Sequence, residues 1–197
     1  MRNIIFDLGG VVFSRDYSLC SSDLLAFWRI IHSPNIPLFW QEFDRGTLSW
    51  DDTISAITDA MHLPIEHCDE ILREAIAQSK AVPSTCQLIC DLKKTGHKLY
   101  VLSNMSFAFI NELHKDQIFK QFDGEVISCN HKLIKPEPEI YKLTLDKFGL
   151  DASETFFIDD KPANTIAAQN LGISTYDFDR SNPEKCCDEL RKILLDK

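Results

Sequence analysis

Glycine and proline are scarce in this 197-residue chain, at 7 and 8 residues. Collagen-like, low-complexity and linker-dominated architectures are thereby excluded. Basic residues are also in deficit, 21 against 30 acidic ones, for a formal net charge of −9. Such a chain carries no basic footprint for nucleic acid and no polybasic patch for a membrane surface. No apolar run approaches the roughly 20 residues that span a bilayer. The apolar start from Met1 to Phe13 is short, is broken by Asp7 and lacks a small-residue cleavage site. It reads as a strand and not as a signal peptide. No internal repeat and no CxxC pair occurs. The seven cysteines are odd in number and include the neighbours Cys186 and Cys187, a poor disulfide framework. Free thiols in a reducing cytoplasm are the expectation. Nothing implies a protein partner.

What is present suits one domain with a modest insert. Asn3 to Phe6 is a short apolar run that stops at Asp7-Leu8-Gly9-Gly10, a strand meeting a tight turn. Residues 16–82 contain no convincing period-2 segment. Leu24, Phe27, Trp28 and Ile31 form one helical stripe, and Trp50, Ile54, Ile57 and Met61 form another after Ser49, which with Asp52 suits a capping box. The segment reads as three to five helices. From Pro83 onward, helices and strands alternate. Strands are expected at Lys98 to Leu102, Gly124 to Ser128, Thr155 to Ile158 and Ile173 to Tyr176. Helices open at Ser84, Pro138, Pro162 and Pro183. Strands separated by helices of this length imply right-handed crossovers and a parallel sheet. The fold class is therefore α/β. It has a three-layer Rossmann-like core from 1–15 and 83–197, with a helical cap inserted at 16–82.

Ligands of such sheets bind beyond the carboxyl ends of the strands. Here those ends carry Asp7, Ser103-Asn104 and Asp159-Asp160. Each alone has an ordinary explanation. A strand-end Asp often closes a turn, and Ser-Asn often caps a helix. Adjacent carboxylates repel unless a cation or a lysine relieves them. Lys135, between Ile134 and Pro136-Glu137-Pro138, is held in a stiff segment that suits a phosphate or carboxylate partner.

In their order along the chain these pieces resemble the four motifs of the haloacid dehalogenase superfamily, most of whose members are phosphatases. The matching stretches are Ile4-Ile5-Phe6-Asp7-Leu8-Gly9-Gly10-Val11, Val101-Leu102-Ser103-Asn104, Lys135-Pro136, and Phe157-Ile158-Asp159-Asp160 with Asn164 four residues on. The resemblance implies that Asp7 attacks a phosphomonoester to form an aspartyl-phosphate. It implies a Mg²⁺ held by Asp7, Asp160 and the Gly9 carbonyl. Ser103, the amide of Asn104 and Lys135 would hold the phosphoryl oxygens. Asp159 would pair with Lys135 or a metal-bound water, and Asn164 would orient Asp160 or a water. A small phosphorylated metabolite is the implied partner.

The chain departs from the family pattern at Gly9, where relatives carry a second Asp that exchanges protons with the leaving group and the water. Loss of such a group costs on the order of 10²–10⁴ in rate. An Asp-Leu-Gly subgroup resembles sugar-1-phosphate phosphatases, whose leaving groups need less protonation. Asp16 is one candidate substitute proton carrier. Arg15 at the edge of the helical segment and Arg45, Trp28, Trp40 and Phe43 within it are the residues able to read a leaving group. Two rivals remain: a phosphate-binding protein with little turnover, and a 2-haloacid dehalogenase.

Overall fold

A computed structural model describes residues 3–33 and 35–195. The chain opens with β1 (Asn3–Phe6) and turns into the two-residue strand β2 (Phe13–Ser14). Four helices follow: α1 (Ser22–Ile31), α2 (Leu38–Arg45), α3 (Trp50–Met61) and α4 (Ile65–Ala77). The chain returns through β3 (Lys80–Ala81), which pairs antiparallel with β2. The helical segment therefore leaves and re-enters at one point. Then come α5 (Pro83–Lys94), β4 (Lys98–Ser103), α6 (Phe107–Leu113), β5 (Gly124–Ile127), the short α7 (Ser128–His131) and α8 (Pro138–Phe148). The rest is β6 (Thr155–Asp159), α9 (Pro162–Gln169), β7 (Ser174–Asp177) and α10 (Pro183–Leu194). No helix among the described residues is long and apolar enough to cross a membrane.

The main sheet has five strands in the order β5-β4-β1-β6-β7, with every neighbouring pair parallel. β1 lies at its centre, and alternation explains how it is buried on both faces. Ile4 and Phe6 point into the cluster that includes Leu88, Leu92 and Leu190 of α5 and α10. Ile5 points the other way, onto Tyr100, Phe157, Ile140 and Tyr141. Helices thus cover both faces of a Rossmann-like three-layer core. Each fully buried side chain of this size contributes about 1.5–3 kcal/mol.

The helix starts follow local chemistry. Pro83, Pro138, Pro162 and Pro183 each occupy the first turn, where a missing N–H is harmless. Ser49 accepts from the Asp52 N–H at 3.1 Å and donates to its carboxylate at 2.5 Å, starting α3. α2 stops at Gly46, whose left-handed φ of 73° suits glycine. Leu24, Phe27, Trp28 and Ile31 are all buried, with Ile54, Ile57, Ile71 and Leu72, in one cluster continuous with the sheet's core. The strand read as Gly124 to Ser128 ends one residue earlier, because Ser128 begins α7.

Candidate active site

Asp7 follows β1 directly, and its side chain is nearly buried. Its main-chain N–H extends the ladder to the Ile158 carbonyl at 2.9 Å, so the sheet fixes its position. Three donors converge on one carboxylate oxygen, Oδ1. They are the Leu8 N–H at 2.7 Å, the Ser103 hydroxyl at 2.8 Å and the Lys135 ammonium at 2.9 Å. Together they set the plane of the carboxylate. Lys135 also donates to Asp159 Oδ2 at 2.6 Å and to the Leu102 carbonyl at 2.9 Å. Burial opposes its charge, but Asp159 and Asp7 prevail and hold its pKa above the usual lysine value. The loop bearing Lys135 is clamped by Asn104. The Asn104 side chain accepts from the Lys135 N–H at 2.7 Å and donates to its carbonyl at 2.8 Å. The clamp holds the Asn104 side chain against the loop and leaves its main-chain N–H available to a ligand.

Asp159 is saturated. Besides Lys135, it accepts from the Lys161 N–H at 2.8 Å and from the Asn164 side chain at 3.0 Å on both oxygens. Asp160 is in the opposite condition. Its Oδ1 is buried and has no hydrogen-bond partner, and its nearest cation, Arg180, lies 3.8 Å from Oδ2. Burial, then the charges of Asp7 and Asp159, push its carboxyl up to about 6. Asp7, Asp159 and Asp160 each bring an oxygen within 4.8 Å of the others. Three carboxylates thus face one buried ammonium. With Asp159 fully paired, the unmet negative charge falls on Asp7 and Asp160, beside Gly9. A hard divalent cation that accepts a few carboxylate and carbonyl oxygens fits this donor set.

These groups form the floor of a cavity of about 850 Å³. Part of its wall is apolar and aromatic, with Trp28, Ile31, Ile36, Trp40 and Phe109, beside the polar Asn35, Gln41 and Arg180. Arg15 lies in it, 4.1 Å above the Trp28 ring, with its Nε buried and unpaired. His32 stacks on the other residue of that pair, Trp28, at 5.2 Å, and burial drives its pKa down to about 4. Asp44 of α2 also lines the cavity. Burial, helped by the charge of Asp7, pushes its carboxyl up to about 7, against the pull of Lys161 and Arg15. Asp44 was not singled out in the sequence. The available signal was a carboxylate four residues after Trp40, on the buried stripe of its own helix.

A family model described as haloacid dehalogenase-like hydrolase matches residues 1–172. This chain belongs to the haloacid dehalogenase-like hydrolases. Among its relatives is the sesquiterpene phosphatase astK of Aspergillus oryzae, 29% identical over 197 residues, covering 96% of this chain and 95% of that protein. The (S)-2-haloacid dehalogenase 4A of Burkholderia cepacia is 25% identical over 140 residues, 68% of this chain and 61% of that one. A wild-type HAD family enzyme of Bacteroides thetaiotaomicron, crystallised with magnesium and inorganic phosphate, superposes with a TM-score of 0.71 at 26% identity. That match covers 89% of this chain and 93% of the other.

Two expectations for this haloacid dehalogenase-like site need correction. Asp16 does not reach it: the residue is exposed, caps the turn Tyr17–Leu19 and accepts from the Ser18 N–H and hydroxyl at 3.0 and 2.6 Å. Asn164 orients Asp159, not Asp160, because a carboxamide five residues on reaches back over the start of α9 to the nearer carboxylate. Of the residues expected to read a leaving group, Arg15, Trp28 and Trp40 line the cavity. Phe43 is buried in the core, and Arg45 is engaged by Glu137 at 2.6 Å.

The turn after Asp7 makes a further demand. Gly10 has φ +81°, and a Cβ there would lie 2.7 Å from Asp160 Oδ2 and 2.9 Å from its Cγ. Gly10→Ala is expected to destabilise the fold by about 1–3 kcal/mol through backbone strain alone. It should also displace Asp160, so that Mg²⁺ raises the melting temperature less than in wild type. Thermal melts with and without Mg²⁺ check both effects.

Proposed function

We propose that this chain is a Mg²⁺-dependent phosphomonoesterase that works through an aspartyl-phosphate on Asp7. The observation that carries the reading is the convergence of Asp7, Ser103, Lys135 and the unsatisfied Asp160 on one cavity floor. The Asp7 carboxylate, held by three donors, attacks phosphorus. Ser103, the Asn104 N–H and Lys135 bind the phosphoryl oxygens. Asp159, positioned by Asn164, keeps Lys135 charged and aimed. Asp7, Asp160 and the Gly9 carbonyl would hold Mg²⁺, whose charge offsets repulsion between the carboxylate and the anionic substrate. A dehalogenase attacks carbon and has little use for the unpaired carboxylate of Asp160.

The wall of the cavity supports a leaving group with substantial apolar surface, consistent with the name of the Aspergillus relative. Gly9 favours a second reading, sugar 1-phosphates, because an anomeric oxygen departs with less help. Residues 16–82 would act as a cap that selects the substrate and excludes water. Seven free cysteines suit a reducing cytoplasm.

A substrate panel tests the proposal: an aryl phosphate, an isoprenoid monophosphate, a sugar 1-phosphate and a sugar 6-phosphate, with Mg²⁺ and then with chelator. Hydrolysis should need Mg²⁺ and be fastest on the apolar monophosphates, and the 1-phosphate should exceed the 6-phosphate. Binding of beryllium fluoride without hydrolysis of any substrate would favour a phosphate-binding protein. Metal-independent halide release from a 2-haloacid would favour a dehalogenase.

A further inference from the structure

Gly9 leaves the reaction without its usual proton carrier, and the cavity contains few groups able to replace it. Asp16 lies outside. His32 is stacked on Trp28 and stays neutral through the working range. Lys135 is locked between two carboxylates. Asp44 is different. It faces the cavity that holds Asp7, and among the described residues its carboxylate has no ion-pair partner and no side-chain donor. The groups that face it are Lys161, Arg15 and Asp7, with the Ser106 N–H as a donor and the Cys129 thiol nearby.

Its helix is also firmly seated. The Ser128 hydroxyl donates to the Asp44 carbonyl. The next residue, Arg45, grips both oxygens of Glu137 at 2.6 and 3.0 Å, and Glu137 is two positions from Lys135. Lys132 donates to the Gly46 carbonyl. Gly46 packs so closely on Cys129 that a Cβ would lie 2.8 Å from it. Residues 44–46 are therefore tied to the loop that presents the lysine. A carboxylate borne by the helical segment is thus held in register with the core.

Resting on the phosphatase reading, we propose that Asp44 is the general acid and base of the reaction, taking the place vacated at Gly9. In the first half, an Asp7 oxygen bonds to phosphorus and the P–O bond to the leaving group breaks. The protonated Asp44 gives its proton to the departing oxygen, which leaves as the alcohol. In the second half, water bonds to phosphorus and the Asp7–phosphorus bond breaks. Asp44 takes the water's proton and returns to its starting state. A carboxyl that titrates near neutrality serves both halves.

The test is Asp44→Asn, measured by kcat/KM against phosphomonoesters of graded leaving-group acidity. Loss of an acid should be large, roughly 10²–10³-fold, on alkyl phosphates and under about threefold on p-nitrophenyl phosphate, whose leaving group needs no proton. Gly9→Asp should rescue the variant, because a Cβ at Gly9 meets nothing within 4 Å. A second readout needs no turnover: relieved of a buried charge, Asp44→Asn should melt above wild type at pH 8, with the difference vanishing near pH 4. A uniform loss across the series, or no loss, would overturn the role of Asp44 while leaving the phosphatase reading intact. Wild-type protein that hydrolyses no phosphomonoester would overturn both.

Discussion

Asp7→Asn is expected to abolish phosphomonoester hydrolysis, with kcat falling by about 10⁴-fold or more, the loss usual for a covalent nucleophile. The size follows from chemistry and not from misfolding. An amide oxygen at the same place still accepts from Leu8, Ser103 and Lys135, so the geometry around the end of β1 survives. What is lost is an oxygen able to form an acyl phosphate. Steady-state kinetics on an aryl phosphate, with a thermal melt to confirm folding, checks the prediction. Residual activity above about one per cent of wild type would mean that Asp7 is not the attacking group.

Lys135→Met should give the largest loss of stability. The side chain is essentially inaccessible, and its ammonium contacts Asp7 at 2.9 Å and Asp159 at 2.6 Å. Removing one partner of a buried ion pair leaves uncompensated charge and costs about 3–5 kcal/mol. For a chain of this size that is a fall of roughly 6–20 °C in melting temperature. The effect has a pH signature. Burial and the charge of Asp7 already hold the Asp159 carboxyl above its unfolded pKa, and losing the ammonium that opposes them raises it further. The fold then binds more protons than the unfolded chain, so its stability falls as pH rises through that interval. The deficit relative to wild type should therefore be smallest in mild acid and grow toward neutrality. Adding Asp159→Leu should recover part of it, since an apolar replacement removes the stranded charge. A variant that melts within about 2 °C of wild type at pH 7 would contradict the arrangement.

Much of the architecture was legible in the sequence because its cause is local. An apolar run that stops at Asp7 or Asp159 marks both a strand and its carboxyl end. Proline at the first turn of α8, α9 and α10 marks a helix start whatever the rest of the molecule does. The pairing of β2 with β3 was not legible: two-residue strands have no period, and their register depends on contacts across the whole helical segment. The site divides in the same way. Asp7, Ser103, Lys135 and Asp160 sit beside strand ends or in a stiff loop, where position announces exposure to a cleft. Asp44 sits on a helix among Phe43 and Arg45, and only tertiary docking turns it toward the cavity. Asp16 illustrates the converse. Its closeness to Asp7 in sequence suggested a role, but the turn Tyr17–Leu19 consumes its carboxylate.

The covalent intermediate is the heart of the account, and it can be sought directly. Protein mixed with an aryl phosphate and Mg²⁺ is quenched in acid within the first turnovers, and its peptides are read by mass spectrometry. A phosphoryl group is expected on the peptide containing Asp7, absent from Asp7→Asn and absent when chelator is present. A phosphoryl group on another residue, or turnover with no adduct at any quench time, would contradict it.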